Sequence, residues 1–152
     1  MSSVVTFDSQ PPEGTINFGI GQPDFDTPEF IREAAKKALD EGYTRYPPAK
    51  GFSDLRVAIA EKLLRDNRIS ADPATEIFVS VGAMQAIFNA ILHLVEPGEE
   101  VIVIDPGYDY YSQIGLFGGI PVRVPAREEN AFKVDPEDIK AAISSKTKLI
   151  IL

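Results

Sequence analysis

Apolar positions recur along the chain with two different periods, and the change of period marks how it is organised. Ile31, Ala34, Ala35, Ala38 and Leu39 follow Thr27-Pro28 at helical spacing. This predicts an amphipathic helix with Thr27 as N-cap, Pro28 at its first position and Gly42 as its stop. A loop rich in Pro and aromatics, Tyr43 to Gly51, comes next. Leu55, Ala58, Ile59, Leu63 and Leu64 then outline a second amphipathic helix, capped by Ser53 and ending near Asn67.

From Glu76 the pattern becomes strand (Ile77 to Val81), helix (Ala83 to Val95), turn (Glu96-Pro97-Gly98) and strand (Val101 to Ile104), which is a βαβ unit. Its helix is apolar nearly all round, so cover on several sides is expected. A helix near Tyr110 to Phe117, a strand at Val122 to Val124, a helix capped by Asp135 with Pro136 behind it, and a strand at Leu149 to Leu152 continue the alternation. Such alternation predicts an α/β fold with a mostly parallel sheet. Leu149 to Leu152 reads as a strand from the middle of a parallel sheet, so a chain that continues past Leu152 is expected. An edge strand that finishes the domain is the alternative.

Composition narrows the function classes. The 152 residues, 44% hydrophobic and 25% charged, suit one ordinary globular domain. A formal charge of -8, spread along the chain, repels phosphate backbones and anionic lipid, which argues against nucleic-acid and membrane-surface partners. The absence of cysteine removes disulfides, thiol nucleophiles and thiolate metal sites, and fits a cytoplasmic setting. Met1 to Gln10 has neither the basic start nor the apolar run of a signal peptide, and runs such as Val101 to Ile104 are too short to cross a bilayer. His93 is the sole histidine, late on an apolar helix, so no metal cluster is expected and a locally satisfied ring is.

Three segments carry candidate chemistry. At Val79-Ser80-Val81-Gly82-Ala83-Met84-Gln85 a strand turns through small residues into a helix, where free N–H groups and the helix dipole make an anion site; many α/β turns hold a glycine for steric reasons alone. Neither the dinucleotide glycine pattern nor the phosphate loop ending in Gly-Lys-Ser/Thr is present. Asp105-Pro106-Gly107-Tyr108-Asp109-Tyr110-Tyr111 follows a strand's carboxyl end, where α/β sheets bind ligands. Tyr108 there is either a stacking surface or a packing residue, Tyr111 is read as packing, and Asp105 as a turn starter. Phe18 to Pro28, with Gly19, Gly21 and Pro23, is either a ligand-facing backbone or a structural arm, and Tyr43-Thr44-Arg45-Tyr46 either a contact surface or a solvated connection. Gln85 and Asn89 are read as capping local backbone.

Taken together, Phe18 to Pro28, Tyr43 to Tyr46 with Gly51 and Leu55-Arg56, Val81 to Ala86, and Glu96 to Val101 with Pro106-Gly107-Tyr108 follow one another in an order and spacing that resembles class I/II aminotransferases of fold type I, which use pyridoxal 5'-phosphate. The resemblance covers Ile16 to Leu152. It implies an N-terminal arm and part of a small domain over residues 1–45, and the first part of the cofactor-binding large domain over 46–152. It makes Ala83 and Met84 backbone donors to the cofactor phosphate and Tyr108 the cover of the pyridine ring. Tyr46 becomes the tyrosine that reaches the neighbouring subunit's phosphate in a homodimer, and Gly21 the main-chain partner of the substrate carboxylate.

The resemblance further implies amino-group transfer between an amino acid and a 2-oxo acid. The Schiff-base lysine of the family is expected beyond Leu152, so no catalytic residue is assigned here, and Lys36, Lys62, Lys133 and Lys148 are read as solvated charges. On the same fold, β-elimination from a sulfur amino acid or cyclopropane amino-acid formation is the alternative, and a non-catalytic ligand sensor is the alternative from another class.

Overall fold

The computed structural model describes residues 12–16, 18, 21 and 23–152. Pro11, Gly19, Ile20 and Gln22, which the sequence reading places in the arm, lie outside the described residues. The chain divides into two compact units, one ending at Phe52 and the other running from Ser53 to Leu152.

In the first unit, helix α1 spans Glu29–Asp40. Its N-cap is Pro28, whose carbonyl accepts from the Ile31 and Arg32 N–H groups at 3.0 and 3.2 Å, so the expected Thr27 cap is displaced by one residue. Pro28 has φ -49 but ψ 138, an extended ψ that keeps it just outside the helix. The end forms as expected. Gly42 has φ +82, the Tyr43 N–H donates to the Ala38 carbonyl and the Gly42 N–H to that of Leu39, a Schellman ending that needs a residue without a Cβ.

The second unit begins with α2, Ser53–Lys62, which passes into a single π-helical turn at Leu63–Asn67. Ser53 is the first helical residue instead of the cap, while the end at Asn67 is as expected. Arg56 reaches from α2 to the carbonyls of Pro73 and Ala74, tying down the turn that precedes the next helix. The remaining elements are α3 (Gly82–Leu94), β1 (Glu100–Asp105), α4 (Tyr111–Leu116), β2 (Ile120–Pro125), a short 3-10 turn (Glu128–Asn130), α5 (Pro136–Ala142) and β3 (Thr147–Ile151). Asp135 caps α5 through the Glu137 N–H at 2.9 Å, as its sequence predicts.

The sheet is parallel throughout, in the order β2-β1-β3. Central β1 buries Val101, Ile102 and Val103 in succession, the mark of a strand covered on both faces. Ile91 and Val95 of the α3 end and Ile114 of α4 pack with Val101 and Val103 on one face. Each fully buried aliphatic side chain contributes roughly 1.5–3 kcal/mol. Phe88 and Phe117 meet edge to face at 4.9 Å across α3 and the end of α4.

Among the described residues two expectations are corrected. Ile77 to Val81 is not a strand, because a strand needs a hydrogen-bonding neighbour, both edges of β1 are taken, and none of the three strands pairs with this segment. Among the described residues α3 is not covered on several sides: Ile91 is its one buried residue, and Met84, Leu92 and Leu94 are exposed, since the sheet meets a single side of it. β3 stands at the sheet edge among the described residues, with Ile150 exposed.

Candidate active site

The start of α3, where the sequence suggests an anion site, leaves amides without partners among the described residues. Val81 is the N-cap, Gly82 has φ +76, and its N–H donates to the Ser80 carbonyl at 2.9 Å. The Gln85 side chain turns back and accepts from the Val81 N–H at 2.5 Å, so Gln85 caps local backbone as read. The next two amides, of Ala83 and Met84, have no acceptor among the described residues. A helix leaves its first N–H groups without intrahelical partners, and here the cap side chain spends itself on Val81 instead. A Cβ built on Gly82 meets nothing within 4 Å, so the approach to these amides is open. At the other end of α3, His93 Nδ1 donates to the Asn89 carbonyl at 2.9 Å, the locally satisfied ring that was expected.

Tyr108 lies three residues beyond β1, after a cis Asp105-Pro106 bond. The residue is 62% exposed, and its ring rests against that of Tyr110 at 5.2 Å and 38°. The two tyrosines line a recess of ≈ 280 Å³ with Val103, Ile104 and Ile151 of the strands and Phe132 of the loop before α5. This recess lies at the carboxyl ends of β1 and β3, where α/β folds bind ligands. Ala83 and Met84 are not among its lining residues. Met84 instead meets α4, whose Gln113 Nε2 donates to its sulfur at 3.9 Å.

Tyr111 packs against the core as read. Burial pushes its phenol above the usual tyrosine range, the Asp105 carboxylate adds to this, and the Arg123 guanidinium opposes it. Asp105 ends β1, accepts through its carbonyl from the Ala126 N–H at 2.8 Å, and pairs with Arg123 at 3.6 Å.

The other two candidates belong to the first unit. Tyr46 is fully exposed, in a shallow surface recess with Tyr43, Arg45 and Phe52, where the Tyr43 and Phe52 rings meet edge to face at 5.7 Å. Gly21 is exposed, with open space around its Cα. Two residues, one lining the recess and one paired with Asp105, were missed in the sequence. Phe132 gives no local signal, since Asn130-Ala131-Phe132 lacks turn glycine or proline. Arg123 was legible only as the polar break in Val122-Arg123-Val124. Among the described residues no group of three His, Asp or Glu side chains is placed to hold a metal, and no helix is long and apolar enough to cross a membrane.

The family profile described as aminotransferase class I and II matches residues 13–152. A probable aspartate/prephenate aminotransferase of Aquifex aeolicus is 45% identical over 138 residues, which is 90% of this chain and 35% of the relative. The aspartate aminotransferase of Pyrococcus abyssi is 47% identical over 138 residues, 90% of this chain and 36% of that one. Among solved structures, a single mutant of Thermus thermophilus aspartate aminotransferase matches with a TM-score of 0.84 at 42% identity, covering 88% of this chain and 35% of its own. The chain spans about a third of the length of the curated relatives it matches. With a profile match across nearly its whole length, a parallel α/β sheet, and free amides where a helix begins, the chain belongs to the class I and II aminotransferase family.

Proposed function

We propose that the protein carrying this chain is a pyridoxal 5'-phosphate-dependent aminotransferase, moving an amino group from an amino acid to a 2-oxo acid, and that this chain supplies the phosphate grip and the ring cover. The observation that carries the reading is the pair of acceptor-free N–H groups at Ala83 and Met84 on the positive end of α3. A phosphate dianion seated there accepts from both and gains the helix dipole. The open space at Gly82 lets the phosphate oxygens approach without meeting a side chain, so these residues fit the group.

Tyr108 is assigned to one face of the pyridine ring. Its exposure at the strand carboxyl ends, with Tyr110 behind it, supports that role. When bound, the cofactor supplies an electron-withdrawing ring that eases loss of the substrate α-proton. This chain's residues bind and orient: Ala83 and Met84 hold the phosphate, and Tyr108 keeps water from one face of the ring. The exposed Tyr46 is assigned to the phosphate of the neighbouring subunit in a homodimer, and Gly21 to the substrate carboxylate through its main chain. Residues 1–45 are assigned to the N-terminal arm and part of the small domain, residues 46–152 to the first part of the large domain, and the protein to the cytoplasm.

Since the relatives' names are those of aspartate, prephenate and aromatic aminotransferases, acidic and aromatic amino acids are the donors to try first. The test is made on the full-length protein with added pyridoxal 5'-phosphate, measuring cofactor absorption and amino transfer from aspartate or phenylalanine to a 2-oxo dicarboxylic acid. Cofactor uptake with transfer is expected. A protein that takes up no cofactor, or takes it up and transfers from no amino acid, is not the enzyme proposed.

A further inference from the structure

Tyr108 sits midway along a short loop whose two ends meet the same side chain. β1 ends at Asp105 and α4 starts at Tyr111, each three residues from Tyr108. Side chains alternate along a strand, so Asp105 lies on the face of β1 that carries Val101 and Val103, where Ile114 of α4 packs. Arg123 on β2 is the register partner of Val103, which puts it on this face too. From there its guanidinium pairs with the Asp105 carboxylate at 3.6 Å and stands over the Tyr111 ring, 4.2 Å from the centroid. One cation thus ties the entry of the loop to its exit.

Between these ties the backbone is closely drawn. A Cβ at Gly107 would stand 2.5 Å from the Ile104 carbonyl oxygen, so the chain doubles back onto the strand it has just left. The Asp109 carboxylate accepts from the Tyr111 N–H at 3.1 Å, and the Asp105 carbonyl from the Ala126 N–H at 2.8 Å. Tyr108 stays 62% exposed, so burial does not hold it in place, and its setting follows from where the ends of the loop stand. We propose that Arg123 is a positioning residue for Tyr108: by bridging Asp105 and Tyr111 it fixes the span of the loop, and with it the tilt at which the Tyr108 ring is presented, a role that rests on the assignment of Tyr108 to the pyridine ring and deepens it.

The experiment compares full-length wild type with R123M, R123K and D105N, measuring affinity for pyridoxal 5'-phosphate and the visible circular dichroism of the bound cofactor. Methionine keeps the length of the side chain without its charge, so both ties are lost. Lysine keeps a cation that can face Asp105 and the Tyr111 ring, and asparagine cuts the ion pair while leaving the backbone bond of that residue. Partly exposed ties of this kind have modest effects, so R123M is expected to bind the cofactor about twofold to fivefold more weakly, with altered visible dichroism and unchanged far-ultraviolet dichroism. D105N should shift both readings the same way by less, and R123K should return most of what R123M loses. Should R123M fail to fold, D105N decides. Wild-type affinity and dichroism in R123M or in D105N overturn the role of Arg123 while leaving the aminotransferase reading intact, as does an R123K no better than R123M. A wild type that takes up no cofactor overturns both.

Discussion

The Arg123 guanidinium stands over the Tyr111 ring, 4.2 Å from its centroid. Arg123 on β2 and Tyr111 at the start of α4 thereby join the sheet to the helix that follows Tyr108, and the same arginine reaches Asp105 at the end of β1. Burial first, then the Asp105 and Asp109 carboxylates, raise the phenol above its ordinary value, and Arg123 opposes them. A group whose folded value is raised contributes stability that is whole below the unfolded value, about 10 for tyrosine, and is lost as pH rises through the folded value. Y111F is therefore expected to lose less stability than wild type between neutral and alkaline pH, measured by denaturant unfolding at a series of pH values. R123M should move the phenol titration further up in an ultraviolet difference titration; a downward move contradicts the contact.

Replacing Ala83 by proline removes one N–H of the α3 start while leaving the side chain small. Proline is tolerated in the first turn, so helix content should hold. A hydrogen bond to a charged group contributes about 1.5–3 kcal/mol, which predicts about tenfold or greater loss of affinity for pyridoxal 5'-phosphate in A83P by absorption titration. Unchanged affinity would remove the phosphate site from α3.

Ala131 sits at φ 53 away from the recess lining, so glycine there should relieve strain. The relief, less the entropy that glycine adds to the unfolded chain, predicts a gain of about 1 kcal/mol for A131G. Thermal and denaturant unfolding measure it, and a loss of stability contradicts the strain.

Ile91 is fully buried between α3 and the sheet, alongside Val101 and Ile114. I91A is expected to destabilise by about 2–5 kcal/mol, through lost transfer energy and the cavity left behind. D135A, which removes the Asp135 bond to the Glu137 N–H, should lower stability by about 0.5–2 kcal/mol. Unfolding midpoints of the two variants give the ordering directly.

Much of this fold was legible in the sequence because it is local. The periodicity of Ile31 to Leu39, the glycine ending at Gly42, the Asp135-Pro136 cap and the apolar run from Val101 to Ile104 each act within a few residues, and each appears close to its expected place. The same locality made the Gly82-Ala83-Met84 amides readable, since any helix start leaves donors over. Thr27 lost the cap because one dihedral, the extended ψ of Pro28, moved the boundary, a scale that composition does not resolve.

What the sequence alone determined is thus most of the elements and the chemical character of their ends: a helix start with N–H groups left over, and an aromatic past a strand's carboxyl end. Only the tertiary structure decided which segments pair, so that β1 takes β2 and β3 as neighbours while Ile77 to Val81 has none of them, and that Phe132 joins Tyr108 in one recess. Strand pairing and recess lining depend on residues far apart in the chain, and the left-handed turn at Ala131 and Phe132 is enforced by bonds that exist only once the loop has closed on itself.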